Sequence, residues 1–153
     1  MSSSTQAGDA APITRREQLV AVPESGEKPR ADWRIGTEHE KFGFQLEDLR
    51  PPPFDGERGI EAVLKGLTRY DWTEVQENGR TIALSRNGAS VSLEPAGQLE
   101  LSGAPLENIH QTCSEVGNHL FELKTVADEL RLGFLGMGFQ PKWRREDMPW
   151  MPK

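Results

Sequence analysis

Cysteine is almost absent: Cys113 is the single thiol in 153 residues. No disulfide can close within the chain, and a zinc site built from several cysteines is excluded. Long apolar runs are missing as well. No stretch approaches the roughly 20 residues a membrane helix needs, and the N-terminus lacks the apolar core of a secretory signal. Positive charge is in deficit, with 18 Lys and Arg against 24 Asp and Glu and a formal net charge of −6. That balance argues against a general nucleic-acid or membrane-surface binder. No Ser/His/Asp or Cys/His pattern stands out to suggest a nucleophilic site.

What remains is a chain long enough for one domain with a real core. Residues 1–12, rich in Ser, Ala and Gly, read as a disordered leader. Residues 13–32 read as a short helix and linker. Thr14 is the expected cap, Glu17 completes a capping box, the helix runs from Arg15 to about Val22, and Pro23 to Asp32 is polar. Trp33 to Leu46 alternates as a strand, with Gly36, Glu38, Glu40, Phe42 and Phe44 on one face and Ile35, Thr37, His39 and Lys41 on the other. Gly59 to Tyr70 reads as a helix with Ile60, Val63, Leu64 and Leu67 as its apolar stripe. Four short strands follow as an antiparallel meander, about Thr73–Gln76, Thr81–Ser85, Ser90–Glu94 and Gln98–Ser102. Asn78-Gly79 and Arg86-Asn87-Gly88 supply hairpin turns between them. A long helix is expected from Pro105 to Arg131, with Leu106, Ile109, Cys113, Val116, Leu120, Leu123, Ala127 and Leu130 as its stripe. Gly133 is its expected C′ residue, and Phe134 to Phe139 returns as a strand.

Acidic side chains concentrate in two strand-like segments. Glu38 and Glu40 share a strand face, as do Gln98 and Glu100, and Glu94 precedes a Pro-Ala-Gly turn. From spacing alone, a solvated strand face explains Glu38 and Glu40. Against that, Phe42 and Phe44 continue the same face, and carboxylates beside buried aromatics need a partner. A hard divalent cation with oxygen ligands, bridging to phosphate, is the usual one. His39 points away from that face by alternation, and His110 and His119, nine residues apart, form no paired zinc motif; all three read as structural. Gly133-x-x-Gly136-x-Gly138 follows a helix rather than preceding one, so it is no dinucleotide loop and reads as close backbone packing. Lys142-Trp143-Arg144-Arg145 reads either as a solvated run or, beside Trp143 and Trp150, as a binding loop for carboxylate or phosphate. The aromatic, proline-rich tail lacks a periodicity to dock it and reads as part of a longer protein. Cys113 reads as a buried helix thiol, or as half of a disulfide whose partner lies elsewhere.

Several segments together resemble the plant and proteobacterial type of glutamate–cysteine ligase. They are Arg34-Ile35-Gly36-Thr37-Glu38-His39-Glu40-Lys41-Phe42-Gly43-Phe44, the run Ser92 to Glu107 containing Glu94-Pro95-Ala96-Gly97-Gln98-Leu99-Glu100, then His110-Gln111-Thr112-Cys113, and Phe134 to Asp147. The resemblance spans about Trp33 to Lys153, making residues 33–153 the N-terminal part of a ligase catalytic domain. It implies an α+β fold, a glutamine-synthetase-like curved antiparallel sheet with flanking helices, incomplete in this chain. The implied reaction is ATP-dependent joining of the γ-carboxylate of L-glutamate to L-cysteine, the first step of glutathione biosynthesis. By resemblance, Glu38, Glu40, Glu94 and Glu100 are Mg2+ ligands, and Gln98 is a ligand or orients one. Arg144 and Arg145 contact substrate or phosphate. Cys113 is a redox candidate, since a helix cysteine in this family can pair with one far downstream. The family usually has Gly at the position of Ala96. Its members are about three times as long, so this chain alone is expected to be inactive or nearly so; full-length forms are expected to be homodimeric. The setting is the cytoplasm of a bacterium, or a plastid if the source is a plant or alga. Two alternatives remain at this stage. One is a ligase joining glutamate to another amine; the other is a non-catalytic fragment that binds metal or a partner.

Overall fold

The computed structural model describes residues 12–152. Two compact units divide between Arg34 and Ile35. Apart from exposed Pro12, the expected leader lies outside the described residues. In the first unit, helix α1 runs over Arg16–Glu24 and a 3-10 turn over Arg30–Asp32. Gln18 Oε1 accepts from the backbone N–H of Thr14 at 2.9 Å and of Arg15 at 3.0 Å. Arg15, not Thr14, is therefore the residue before the helix, and Gln18 rather than Glu17 reaches back to it. No residue of α1 is buried.

The second unit holds β1 (Glu38–Gln45), α2 (Ile60–Leu67), β2 (Thr73–Glu77), β3 (Arg80–Arg86), β4 (Ala89–Glu94), β5 (Gln98–Ser102), α3 (Ile109–Leu130) and β6 (Leu132–Leu135). The strands form one antiparallel sheet in the order β2-β3-β4-β5-β1-β6. Asn78-Gly79 and Asn87-Gly88 take positive φ at both turn positions. That is the two-residue turn whose twist matches the flanking strands. It fixes the β2-β3-β4 register and thereby decides which side chains reach which face.

On the back face, Leu84, Val91, Leu93, Leu99 and Leu101 are fully buried. They pack with Ile60, Val63, Leu64 and Leu67 of α2 and with Leu123, Val126 and Ala127 of α3 in one cluster. Each such aliphatic side chain contributes about 1.5–3 kcal/mol relative to exposure. The α2 stripe is the one its sequence spacing specifies.

The long helix departs from expectation at both ends and in its facing. It begins at Ile109, capped by the Asn108 carboxamide oxygen, which accepts from the backbone N–H of His110 and Gln111 at 3.1 Å each. Pro105 and Leu106 stay extended because Leu106 exchanges two backbone hydrogen bonds with Ile35, at 2.7 and 2.8 Å. At the other end Arg131, not Gly133, takes the left-handed conformation that stops the helix. Gly133 lies inside β6, which ends at Leu135 rather than Phe139. The buried stripe is Thr112, His119, Glu122, Leu123, Val126 and Ala127. Ile109, Leu120, Phe121 and Cys113 are exposed instead, so Cys113 is not a core thiol.

Glycine and phenylalanine alternate across the β1–β6 pair. Gly43 faces Phe134 and Phe44 faces Gly133. A Cβ on Gly43 would meet the Phe134 ring at 2.8 Å, and one on Gly133 would collide with the Phe44 ring. Each ring lies over the opposite glycine, one on each face of the sheet.

Candidate metal-binding face

Strand alternation and register place the predicted carboxylates together. Glu38 pairs with Ser102 and Glu40 with Glu100 across β1–β5; Ser92 pairs with Glu100 and Glu94 with Gln98 across β4–β5. Paired residues point to the same face. Glu38, Glu40, Glu94, Gln98 and Glu100 therefore share the front face with Ser90, Ser92 and Ser102, opposite the helices. Short serines leave room above the sheet and add hydroxyl donors. Ser102 Oγ donates to Glu100 at 2.9 Å and Ser92 Oγ to Glu94 at 3.2 Å. Glu38 and Glu40 are exposed, while Glu94, Gln98 and Glu100 are half-buried.

Glu40 and Glu100 stand directly opposite one another, a like-charge arrangement that destabilises a strand pair. Among the described residues no ion pair involves Glu38, Glu40 or Glu100. Nor do three or more His, Cys, Asp or Glu side chains converge closely enough among them to cage an ion. This donor set, all oxygen, still fits Mg2+. That ion keeps several waters and takes one or two carboxylates together with phosphate oxygens, rather than a closed protein cage.

The turn between Glu94 and Gln98 is strained. Ala96 sits at φ +62° and Gly97 at φ +78°. The left-handed region disfavours a residue with a Cβ by about 1 kcal/mol. Replacing Ala96 by glycine is therefore expected to raise stability by about 0.5 kcal/mol, after part of the relief is offset by unfolded-state entropy. The midpoint of urea unfolding reads this, and a fall by the same amount would contradict it.

The two arginines of the tail are not brought to the carboxylates as partners. Arg144 is exposed and lies 3.9 Å from Glu146. Arg145 lines a cleft of about 510 Å3 with Pro95, Ala96, Met148, Pro149 and Trp150, beside the turn that carries Glu94. The tail nonetheless docks. Trp143 meets Phe42 edge-on at 6.2 Å, and its indole N–H donates to the Leu49 carbonyl at 2.8 Å. Phe42 is buried on the same face as Glu40, so this segment borders the acidic face. Trp150 remains 96% exposed.

Sequence reasoning missed the polar layer behind the sheet. Lys41 is fully buried at 1% exposure. Its ammonium donates to the His39 carbonyl at 2.6 Å, and burial pushes it down to about 8 against the pull of Glu100 and Glu40. His119 is fully buried with neither ring nitrogen hydrogen-bonded, and burial pushes it down to about 3. Beside it, Glu122 accepts from Trp72 Nε1 and from Arg86, each at 2.9 Å, and the Arg86 guanidinium lies 4.1 Å from the Trp72 ring centre. A hint lay in the spacing: Glu115, His119, Glu122 and Val126 recur at helical intervals, but a search for apolar periodicity passes over them.

Comparison with known proteins adds to this geometry. Residues 34–153 match the family described as Glutamate-cysteine ligase family 2 (GCS2). The chain is 55% identical over 143 residues to the chloroplastic glutamate–cysteine ligase of Brassica juncea, covering 93% of this chain and 27% of that relative. It is 54% identical, over the same length, to the chloroplastic enzymes of Arabidopsis thaliana and, as ligase A, of Oryza sativa subsp. japonica. The chain thus spans 27–28% of the length of these curated relatives.

Proposed function

Because this chain belongs to glutamate-cysteine ligase family 2, we propose that it is the part of a γ-glutamylcysteine-forming ligase that supplies the metal-binding face. The observation that carries the reading is the co-facial set Glu38, Glu40, Glu94, Gln98 and Glu100, with Glu40 opposed to Glu100. In the whole enzyme, ATP transfers its γ-phosphoryl group to the γ-carboxylate of glutamate. The amine of cysteine then attacks the acyl phosphate, loses a proton, and expels phosphate as the amide forms. Magnesium, when bound, offsets the negative charge on the phosphoryl oxygens.

This chain's own residues have defined parts in that scheme. Glu38, Glu40, Glu94 and Glu100 would hold magnesium ions, one or two of these carboxylates to an ion together with phosphate oxygens. Ser92 and Ser102 orient Glu94 and Glu100 through their hydroxyls. Gln98, opposite Glu94, offers a neutral oxygen ligand or an orienting hydrogen bond. Arg145, beside the turn that aims Glu94, is better placed than Arg144 to meet an anionic substrate group. Exposed Cys113 is open to pairing with a cysteine beyond this chain, which buried placement would have prevented. The relatives are chloroplastic by name, which supports a plastid over a bacterial cytoplasm.

Titration calorimetry of the purified chain with Mn2+, standing in for Mg2+, tests the reading. Glu40→Gln and Glu100→Gln are each expected to weaken binding about tenfold, or about 1.4 kcal/mol. Absence of Mn2+ binding to the parent chain, or affinity untouched by both substitutions, would refute it.

A further inference from the structure

Lys41 is the least expected residue in the sheet. It lies one position after Glu40 and opposite Leu99, on the face that the helices cover. A buried ammonium is costly unless it is paired, yet it makes one hydrogen bond, to its own strand at the His39 carbonyl, and no ion pair among the described residues. The other charged and titratable groups on its side are poor counter-ions. His39 and His119 are held towards the neutral form, Arg86 is cationic, and Glu122 is already engaged by Arg86 and Trp72. Glu115 gives one oxygen to the Ala104 backbone N–H, and its other, buried oxygen has no hydrogen-bond partner, so it does not reach the Lys41 ammonium. The carboxylates whose charge favours the ammonium are Glu100 and Glu40, on the opposite face of the same two strands.

We infer that Lys41 is a positioning residue of the acidic face, a buried cation behind the β1–β5 pair that compensates the opposed Glu40 and Glu100 and thereby limits how tightly a divalent ion binds there. The inference rests on the metal-face reading above. Without an ion, two facing carboxylates repel, and a fixed positive charge behind them offsets part of that repulsion. When a divalent cation arrives in front, it meets the same two carboxylates with Lys41 opposing it from behind. The face is then kept assembled before loading and loads more weakly than its carboxylates alone would allow.

Two variants separate charge from structure. Lys41→Gln keeps a donor for the His39 carbonyl and loses the charge; Lys41→Met loses both. Calorimetric Mn2+ titration of the 153-residue chain is expected to show at least threefold tighter binding in each variant than in the parent. The rise in thermal midpoint on adding Mn2+ is expected to be larger in both variants, since ligand stabilisation follows affinity. In the Glu100→Gln background, Lys41→Gln is expected to tighten binding by a smaller factor, because one of the two compensated charges is gone. Unchanged affinity in folded Lys41→Gln would overturn the inference while leaving the metal face standing. A change in Lys41→Met alone, or loss of the circular-dichroism signal of the fold in both variants, would assign Lys41 a structural role and overturn it as well. Failure of the parent chain to bind Mn2+ would remove the metal face itself, and the inference with it.

Discussion

Replacing Glu122 by leucine is expected to destabilise the chain by about 3 kcal/mol. The carboxylate serves two buried groups at once. Its Oε2 accepts from the Trp72 indole, itself 4% exposed, and its Oε1 from Arg86. Arg86 is also tied to the Tyr70 carbonyl at 2.6 Å and lies over the Trp72 ring, so it cannot swing out to water without breaking both contacts. Removing one partner of a buried pair leaves the other charge uncompensated, typically at a cost of 3–5 kcal/mol. The lower end applies because the Arg86 side chain keeps 23% of its exposure. A second change, Arg86→Met, is expected to recover part of the loss, since an apolar pair of similar size has no charge to satisfy. Urea unfolding of the single and double variants measures both values. A loss below 1 kcal/mol for Glu122→Leu would show that the triad of Trp72, Arg86 and Glu122 does not hold α3 to the sheet.

Acid is expected to weaken the fold through His119. In the folded chain its imidazole is pushed down to about 3 by burial, with Lys41, His39 and Arg86 adding unfavourable charge. In the unfolded chain it returns to about 6.5. Between those two values the unfolded state binds a proton that the folded state does not. Stability therefore rises with pH across that window and falls as pH drops, by up to about 1.4 kcal/mol per unit. Between pH 7 and pH 5 the parent chain is expected to lose about 2 kcal/mol more than His119→Leu, whose side chain cannot take the proton. The same substitution also removes two buried nitrogens that lack partners, which favours it at neutral pH. Equal losses in the two proteins would mean that the imidazole is protonated in the folded state as readily as in water.

The front of the sheet was legible in the sequence because it depends on the simplest periodicity. Alternation alone put Glu38 and Glu40 on one face and Lys41 on the other, and Gln98 and Glu100 on one face of theirs; the β1–β5 register that sets Glu100 opposite Glu40 joins strands far apart in the chain and was not legible. Most of the α3 surface was not legible. Pro105 and Leu106 have the composition of a helix start, but Leu106 is taken by a backbone bridge to Ile35, seventy-one positions earlier. The helix also turns polar residues inwards, because the sheet offers them partners: Trp72 and Arg86 draw in Glu122. Apolar periodicity selected Ile109, Cys113 and Leu120, which that rotation leaves outside. Lys41 was illegible for a related reason. Alternation places it on the covered face, but a lysine between Glu40 and Phe42 reads as solvated, and only the helices laid over it show that it is sealed.

The reciprocal rings of Phe44 over Gly133 and Phe134 over Gly43 bear on how such a short strand stays in place. Four residues of β6 offer little pairing of their own. If β6 slid one position along β1 so that Phe134 met Phe42, Gly133 would face Gly43, hydrogen against hydrogen; slid the other way, Phe134 would meet Phe44, ring against ring. Either slip sets two rings against each other, and the first also leaves a void. Two bulky residues and two absent side chains thus act as a lock cut to one key, fixing the strand from which the Trp143 segment departs towards Phe42. Either member of a pair can change size only if its opposite changes in the contrary sense, which ties Phe44 to Gly133 and Phe134 to Gly43 as two units of variation rather than four.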